Sequence, residues 1–401
     1  MTVTLIVRKS LRQHALSTAI TALSIALGVG LWMAVWVVKE QSQATFAGAN
    51  LGFDAVLGAR GSKLQLVLNA VFHLEASPGN LQWDDVLQVQ KAAGVEAAVP
   101  LAVGDNFRGW RLVGTTPDFF QHAEPAPGQR FTVRAGGRPF EAGRQEALVG
   151  SVAAQRLGLK PGDTFHPSHG LAHDESAQHE EEYVVVGVLE PSNTPADRVI
   201  WIPLEGIQHM GGHDPQSASE VSAVLVKLLT PVAGFRMDTL YNKQGNRLTF
   251  AWPISQIVAQ LFDKLAWLNR VLELVAYLVA VVAAGSVLAS LYNSMNERRR
   301  EIAILRALGA RRLTVSGVIV LESTVITALG VAAGFLVYGA ILTVVASIVR
   351  AQTGVMLNPL AGSGVMIWAP AIMLGLGALM GVIPALKAYR TPVAENLVPG
   401  V

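Results

Sequence analysis

Four long stretches of this 401-residue chain carry almost no charge, and they constrain its fold more than any other feature. The first, Ala15 to Val38, is 24 residues without a charged side chain. A helix needs about 20 apolar residues to cross a hydrocarbon core about 30 Å thick. We therefore predict transmembrane helices at 15–38, at 266–292 (with a stalk included), at 313–349 and at 366–386.

The first stretch could instead be a cleaved signal peptide, because basic residues precede it and Ala47-Gly48-Ala49 resembles a cleavage site. The apolar region of a signal peptide is only about 7–15 residues long. A retained helix is therefore the preferred interpretation.

The third stretch, 313–349, is interrupted only by Glu322 and is too long for one perpendicular crossing, so it must tilt, extend beyond the bilayer or break.

Positive charge is concentrated in three short segments, 1–14, 293–312 and 387–401, whereas the connection 350–365 has one basic residue, Arg350. The positive-inside rule then predicts that both termini and the 293–312 loop face the cytoplasm. The block at 39–265 is then predicted to lie on the opposite side of the membrane from the cytoplasm.

The net charge of +2 is too small to indicate a nucleic-acid partner, and the absence of cysteine excludes disulfides, thiolate catalysis and cysteine-ligated metals.

The block at 39–265 is polar and has the pattern of a folded α+β domain. Apolar runs at 183–189 and 221–229 are typical of strands, and 82–93 has apolar residues at helical spacing. The segment 145–163 is typical of a strand, a short helix and a turn. Two flanking segments, 39–48 and 252–272, are expected to continue the neighbouring transmembrane helices beyond the bilayer, either as levers or as ordinary stalks.

The 293–312 loop contains a short amphipathic segment that ends at a glycine. Ile302, Leu305 and Leu308 form an apolar stripe, charged residues surround it, and Gly309 is a typical helix end. Such a helix suits docking into a groove of a soluble partner. It would equally suit a helix that lies on the lipid surface.

This segment, 297–310, resembles the hallmark loop of the FtsX/MacB-type ABC transporter permeases, and 381–397 is similar to their closing motif. Glu322 followed by Gly330 and Gly334 also resembles the family pattern. The resemblance implies a membrane protein with four transmembrane α-helices and a large α+β extracytoplasmic (periplasmic) domain inserted between helices 1 and 2. It places the chain in the bacterial inner membrane with both termini in the cytoplasm.

The resemblance further implies a non-catalytic permease subunit that dimerises, as a homodimer, and binds two copies of an ABC ATPase, which hold the ATP and Mg²⁺. ATP-driven motion would be transmitted to the periplasmic domain to move a substrate, and this transport could be linked to the handling of zinc or another divalent metal. The alternatives are an FtsX-like regulator of a periplasmic partner such as a cell-wall hydrolase, and export of lipoproteins or drugs. The implied docking residues, helped by 5–17, are Glu297, Arg298, Arg300, Glu301, Ile302, Leu305, Arg306, Leu308 and Gly309.

No G-x-x-x-x-G-K-[ST] phosphate-binding loop occurs in this sequence. The nearest glycine-rich segment, Gly58 to Lys63, has the wrong spacing and is expected to form a turn. We accordingly expect no intrinsic nucleotide site and no intrinsic cofactor.

Two glycine pairs are spaced for close helix packing: Gly330 with Gly334, and Gly377 with Gly381. They could serve packing within one subunit or across a dimer, and packing within one subunit is preferred.

Glu322 is costly in an apolar span unless it is paired or lies near the interface. Pairing with a loop arginine or extension toward the interface is favoured over a proton relay.

Four of the nine histidines fall within fourteen residues, at His166, His169, His173 and His179, with acidic residues interleaved. Imidazoles mixed with carboxylates suit Zn²⁺ and neighbouring divalent metals. The hypothesis of a zinc site competes with a simple solvated loop. A metalloprotease is excluded because no H-E-x-x-H motif occurs.

Overall fold

The structure is a computed structural model that describes residues 3–48, 50–171, 174, 177–212, 218–297, 304, 307, 310–358 and 360–390. It divides into two compact units. The first, the membrane unit, contains Met1–Gln41, Ala266–Ala346 and Leu357–Val401. The second, the inserted domain, contains Ser42–Leu265 together with Ser347–Met356.

The helices, in chain order, are α1 Val3–Gln13, α2 Ala15–Gly48, α3 Lys63–Ala70, α4 Trp83–Gln90, α5 Asp118–His122, α6 Ser151–Leu157, α7 Leu204–Gln208, α8 Pro231–Asp238, α9 Ile254–Glu297, α10 Arg312–Thr353 and α11 Val365–Arg390. The strands are β1 Ala55–Ala59, β2 Leu81–Gln82, β3 Val95–Phe107, β4 Trp110–Thr115, β5 Glu146–Val149, β6 Thr164–Phe165, β7 Ser168–His169, β8 Tyr183–Val188, β9 Ile200–Pro203, β10 Glu220–Val221, β11 Ala223–Leu228 and β12 Leu248–Ala251.

Four helices, α2, α9, α10 and α11, are long and apolar enough to cross a membrane. The predicted helical continuity of the flanking segments is confirmed, because α2 continues to Gly48 and α9 begins at Ile254 without a break before the apolar part. The third apolar stretch does not break either, since α10 is one helix of 42 residues. At about 1.5 Å per residue it is longer than a hydrocarbon core about 30 Å thick, so it must extend beyond the core or tilt within it.

One end of the helix bundle in the membrane unit is marked by aromatic side chains. The ring of Trp32 meets the rings of Tyr277 and Trp368 at centroid distances of 5.4 and 5.0 Å. Nearby in sequence, Lys39 of α2 forms a 2.7 Å ion pair with Glu273 of α9. Tryptophan and tyrosine prefer the membrane–water interface, so these residues indicate where α2, α9 and α11 reach it.

The inserted domain is built on a mixed ten-stranded sheet with the order β12-β1-β11-β3-β4-β9-β5-β8-β6, and β7 adds to β3. Most neighbours are antiparallel, but β4 with β9 and β5 with β8 are parallel. The predicted strand at 183–189 corresponds to β8, and the predicted helix at 82–93 corresponds to α4. The α+β prediction is therefore confirmed.

Side chains of the sheet alternate between two hydrophobic cores, one on each face. Leu57, Ile200 and Ile202 belong to the first core, whereas Val56 and Trp201 belong to the second. This alternation follows from the two-residue period of a strand. Helices α4, α6, α7 and α8 cover the first face, and α3, α5 and the start of α9 cover the second.

Candidate functional site

The predicted docking segment lies at the end of α9, and most of it falls outside the described residues. Glu297 is the last residue of α9. Ile304 and Ala307 are helical and exposed. The remaining residues of the predicted docking set, which are Arg298, Arg300, Glu301, Ile302, Leu305, Arg306, Leu308 and Gly309, lie outside the described part of the chain.

The first glycine pair lies where α10 crosses α2. A Cβ added to Gly330 would stand 2.6 Å from the Cβ of Ile25 and 2.9 Å from the carbonyl oxygen of Ala22. A Cβ on Gly334 would stand 3.3 Å from the carbonyl oxygen of Ala26. The two backbones can approach this closely only because neither position carries a side chain.

The second glycine pair lies where α11 crosses α10. A Cβ on Gly377 would collide with the side chain of Thr327, and one on Gly381 would stand 2.7 Å from the Cβ of Ser323. The Ser323 hydroxyl donates a hydrogen bond to the carbonyl oxygen of Gly377. All four glycines thus contact neighbouring helices of the same chain.

Glu322 is buried in the membrane unit and contacts α1. The hydroxyl of Ser10 donates a hydrogen bond to Glu322 Oε1. The arginines at 298–300 and 306, which we considered as partners, lie outside the described residues. The contact with Ser10 fixes α1 against α10 at this point.

Two helix ends are built into the second core of the inserted domain. Ile254 and Ile257 of α9 are buried there. The ring of Phe46, near the end of α2, lies 5.6 Å from the ring of Phe72 and 6.0 Å from that of Phe262. Both segments are therefore packed parts of the domain, not free stalks.

The end of α10 also belongs to the inserted domain. Arg198 donates a hydrogen bond to the carbonyl oxygen of Gln352, and the backbone N–H of Met356 donates to Asn193 Oδ1. A Cβ on Gly354, which has a φ of +79°, would stand 3.0 Å from the carbonyl oxygen of Thr194. Three helices thus contribute residues to both units: α2, α9 and α10.

Arg198 also lines a polar cavity of about 240 Å³ in the inserted domain, together with His73, Trp110 and Arg111. No acidic residue is among the described residues that line it. The ring of His73 meets Trp201 edge-on at 5.5 Å. Burial, aided by the charge of Arg111, lowers the pKa of His73 to about 3, so this imidazole is neutral at physiological pH.

The predicted histidine cluster is only partly assembled. His169 and His179 lie together, with ring centroids 5.7 Å apart. His166 is not among the described residues whose ligand atoms gather within 4.8 Å of one another, and its Nδ1 lies 3.1 Å from the carbonyl oxygen of Glu181. His173 lies outside the described residues.

A carboxylate that the sequence analysis missed completes this group. Asp105 Oδ1 lies 3.4 Å from His169 Nδ1 and 3.2 Å from His179 Nε2. Ligand atoms from the three residues all lie within 4.8 Å of one another. Asp105 and His179 are buried, and His169 is exposed. We call these three residues the Asp–His–His triad.

Strand pairing brings the triad together. Asp105 near the end of β3 pairs directly with His169 of β7. The adjacent Asn106 donates through Nδ2 to the carbonyl oxygens of Ser168 and Gly170, which holds β7 in place. The backbone N–H of His179 donates to the carbonyl oxygen of Pro167, so His179 returns beside β7.

The helices and the inserted domain define a multi-pass membrane protein with one large extramembrane domain. The profile of the MacB-like periplasmic core domain matches residues 18–233, more than half of the chain. That of the FtsX-like permease C-terminal region matches residues 273–393. The chain therefore belongs to the family of FtsX-like permeases with a MacB-like periplasmic core domain.

Curated relatives agree with this family. The macrolide export ATP-binding/permease protein MacB of Hyphomonas neptunium is 24% identical over 401 residues, covering 96% of this chain and 59% of that protein. The MacB protein of Bordetella avium is 25% identical over 229 residues, covering 53% of this chain and 33% of that protein. This chain thus spans only part of the length of either relative.

Solved structures of related domains superpose weakly. The periplasmic region of MacB from Actinobacillus actinomycetemcomitans covers 53% of this chain and 94% of its own, with 13% identity and a TM-score of 0.35. The extracellular domain of the noncanonic ABC-type transporter YknZ from Gram-positive bacteria covers 49% of this chain and 98% of its own, with 16% identity and a TM-score of 0.32. The family assignment rests on the two profiles, not on these superpositions.

Proposed function

We propose that this chain is the permease subunit of an ABC transporter and that it transmits ATP-driven motion from an ATPase to the inserted domain. Two copies of the chain would bind two copies of the ATPase, which hold the ATP and Mg²⁺. The chain itself would catalyse no reaction. The main support is the continuity of α2, α9 and α10, each of which contributes residues to both units.

Continuity matters because a helix transmits displacement along its axis only if both of its ends are held. In the inserted domain, α2 is held by Phe46 and α9 by Ile254 and Ile257. In the membrane unit, Gly330 allows α10 to pack closely on α2. A free stalk would dissipate such a displacement, whereas these packed ends would pass it on to the sheet.

The proposed orientation puts the 293–312 loop and both termini in the cytoplasm, the inserted domain in the periplasm and the helices in the inner membrane. This follows from the arginines of the loop and the positive-inside rule. The ATPase would then bind at 297–309, on the side of the membrane where ATP is available.

Cysteine labelling tests this orientation, because the natural chain contains no cysteine. In spheroplasts, we expect a membrane-impermeant maleimide to label Lys91→Cys, an exposed position in the inserted domain. Arg299→Cys should react only after the inner membrane is permeabilised. Labelling of Arg299→Cys in intact spheroplasts would put the loop on the wrong side and contradict the proposal.

The docking segment is tested by a double substitution, Leu305→Asp with Arg306→Glu. We expect the tagged wild-type chain to co-purify with a P-loop ATPase and with ATP hydrolysis, and the double variant to lose both at least tenfold. An acid in an apolar groove and a reversed charge would each weaken a helix-in-groove contact.

The matched control is Arg311→Glu, which reverses a neighbouring exposed charge outside the proposed segment. It should retain the ATPase. If the double variant co-purified with as much ATPase as the wild type does, the docking assignment would be wrong. Equal losses in both variants would indicate a general charge effect instead of a specific contact.

A further inference from the structure

We propose that the Asp–His–His triad of Asp105, His169 and His179 binds one divalent transition-metal ion of the Zn²⁺ class on the inserted domain. The proposal concerns the chain alone and does not depend on its coupling to an ATPase. It replaces the four-histidine cluster predicted from sequence with a different ligand set. Two histidines remain, and a carboxylate from β3 is added.

The two distances from Asp105 to the histidines fit the edges of a coordination tetrahedron. Zinc binds imidazole nitrogen at about 2.0–2.1 Å and carboxylate oxygen at about 2.0–2.2 Å, which places neighbouring ligand atoms about 3.3–3.4 Å apart in a tetrahedral site. Asp105 Oδ1 lies 3.2 Å from His179 Nε2 and 3.4 Å from His169 Nδ1. The ligand atoms of His169 and His179 lie within 4.8 Å of each other, so an ion can be placed among the three once this third distance closes to that of a tetrahedral edge.

The hydrogen bond behind His179 orients the imidazole for metal binding. His179 Nδ1 lies 2.7 Å from the carbonyl oxygen of Gly211, and a carbonyl oxygen can only accept. Nδ1 must therefore carry a proton, so in the neutral ring Nε2 presents its lone pair toward Asp105. A lone pair and a carboxylate oxygen at 3.2 Å repel each other unless a proton or a metal ion lies between them. A backbone carbonyl behind a ligating imidazole is also the usual arrangement in metal sites.

The donor types select the class of ion. Two imidazole nitrogens and one carboxylate oxygen suit zinc and its first-row neighbours. Calcium and magnesium prefer sites made of oxygen atoms alone. A single proton could also satisfy the lone pair of His179, so the experiment must separate ion binding from a protonated imidazole.

Three protein ligands leave a coordination position open for water or an exchanging ligand. His169 provides the route to it, because this exposed residue also lines a cleft of about 300 Å³ together with Asn80, Gln208 and Glu220. We therefore expect an exchangeable site, not a permanently closed structural one. An ion bound there would link β3, β7 and the segment around His179.

Calorimetric titration of the full-length chain tests the site. The protein is purified in lipid nanodiscs through a tag without histidine, stripped with a chelator and titrated with ZnCl₂. We expect one ion per chain in the wild type. His169→Ala and Asp105→Asn should weaken binding by about tenfold or more, since even the loss of an outer partner of a ligand costs about 10–100-fold.

His166→Ala is the matched control, because His166 lies three residues from His169 and outside the triad. It should retain wild-type affinity. His169→Ala is the decisive variant since its side chain is exposed, so its loss should not disturb folding. Asp105→Asn tests the buried ligand with an almost unchanged side-chain shape, and Co²⁺ spectra of the wild type report the coordination geometry.

Absence of zinc binding in the wild type, or wild-type affinity in His169→Ala, would overturn the proposal. Equal losses in His166→Ala and His169→Ala would also overturn it, because the ion would then be bound by the histidine-rich segment in general. Neither result would affect the docking of the ATPase, which is measured on a different segment by co-purification.

Discussion

Gly330→Val is expected to destabilise the membrane unit by about 1–3 kcal/mol or more, the usual cost of overpacking a core. The structure gives a specific reason. Even the first carbon of a side chain at this position would stand 2.6 Å from Ile25 and 2.9 Å from a backbone carbonyl oxygen of α2. A backbone atom cannot rotate away, so α2 and α10 must separate. The thermal unfolding midpoint of the purified protein, measured at one fixed scan rate, reports the loss.

Gly339→Val is the matched control, because Gly339 lies in the same helix and a Cβ there would meet no atom within 4 Å. Both substitutions have the same effect on backbone freedom and helix propensity, so the difference between them isolates the contact with α2. Gly330→Ala should give an intermediate loss. If Gly339→Val lowered the midpoint as much as Gly330→Val, the close approach of α2 and α10 would not be what requires a glycine at position 330.

Acidification is expected to destabilise the inserted domain through His73. Burial, with a further effect of Arg111, lowers the pKa of this imidazole to about 3, so the folded protein keeps it neutral. The unfolded chain takes up a proton near the ordinary pKa of about 6.5. The contribution to stability is therefore fully present above pH 6.5 and is lost as pH falls toward 3. The slope approaches about 1.4 kcal/mol per pH unit, which amounts to about 2 kcal/mol between pH 7.5 and pH 5.

Denaturant unfolding of the full-length chain across this pH range checks the prediction. His73→Asn should flatten the dependence, and asparagine tolerates the positive φ of 54° at this position. His209→Asn, which removes an exposed imidazole from the same domain, serves as the control. An equal slope in wild type and His73→Asn would contradict the assignment.

The unfolding measurements should be made above pH 5, because a second group, Glu146, also loses its contribution to stability at lower pH. The hydrogen bond from Arg138 is the main cause that lowers the pKa of Glu146 to about 2. A lowered carboxylate pKa gives stability that is present above about pH 4.5 and is lost as pH falls toward 2. Below pH 5, the losses due to His73 and to Glu146 would overlap.

The sequence predicts the helices and several strands well because their signals are local. Uncharged stretches of more than 20 residues indicate transmembrane helices, and the apolar run at 183–189 indicates a strand without further information. The packing role of Gly330 was also predictable from its spacing to Gly334. Its partner on α2 was not, because spacing within one helix contains no information about which helix it meets.

The Asp–His–His triad shows more clearly what could not be predicted from the sequence. The high density of histidines indicated the segment that contains His169 and His179, but spacing in the sequence gave equal weight to His166. Asp105 is 64 positions before His169, and only the pairing of β7 with β3 brings the two together. The only local signal was an acid next to Asn106 near the end of a largely apolar strand. Choosing it required knowledge of the strand pairing.

The continuity of α9 restricts how its length can vary. Ile257 and Val258 are buried in the core of the inserted domain, whereas Ala276, Ala280 and Ala283 are buried among the membrane helices. Each residue of an α-helix turns the chain by about 100°. One residue inserted between 265 and 271 would therefore rotate one buried face away from its core while the other stayed in place. Seven inserted residues, close to two full turns, would preserve the helical phase, so natural length changes in this segment should occur in steps of whole turns.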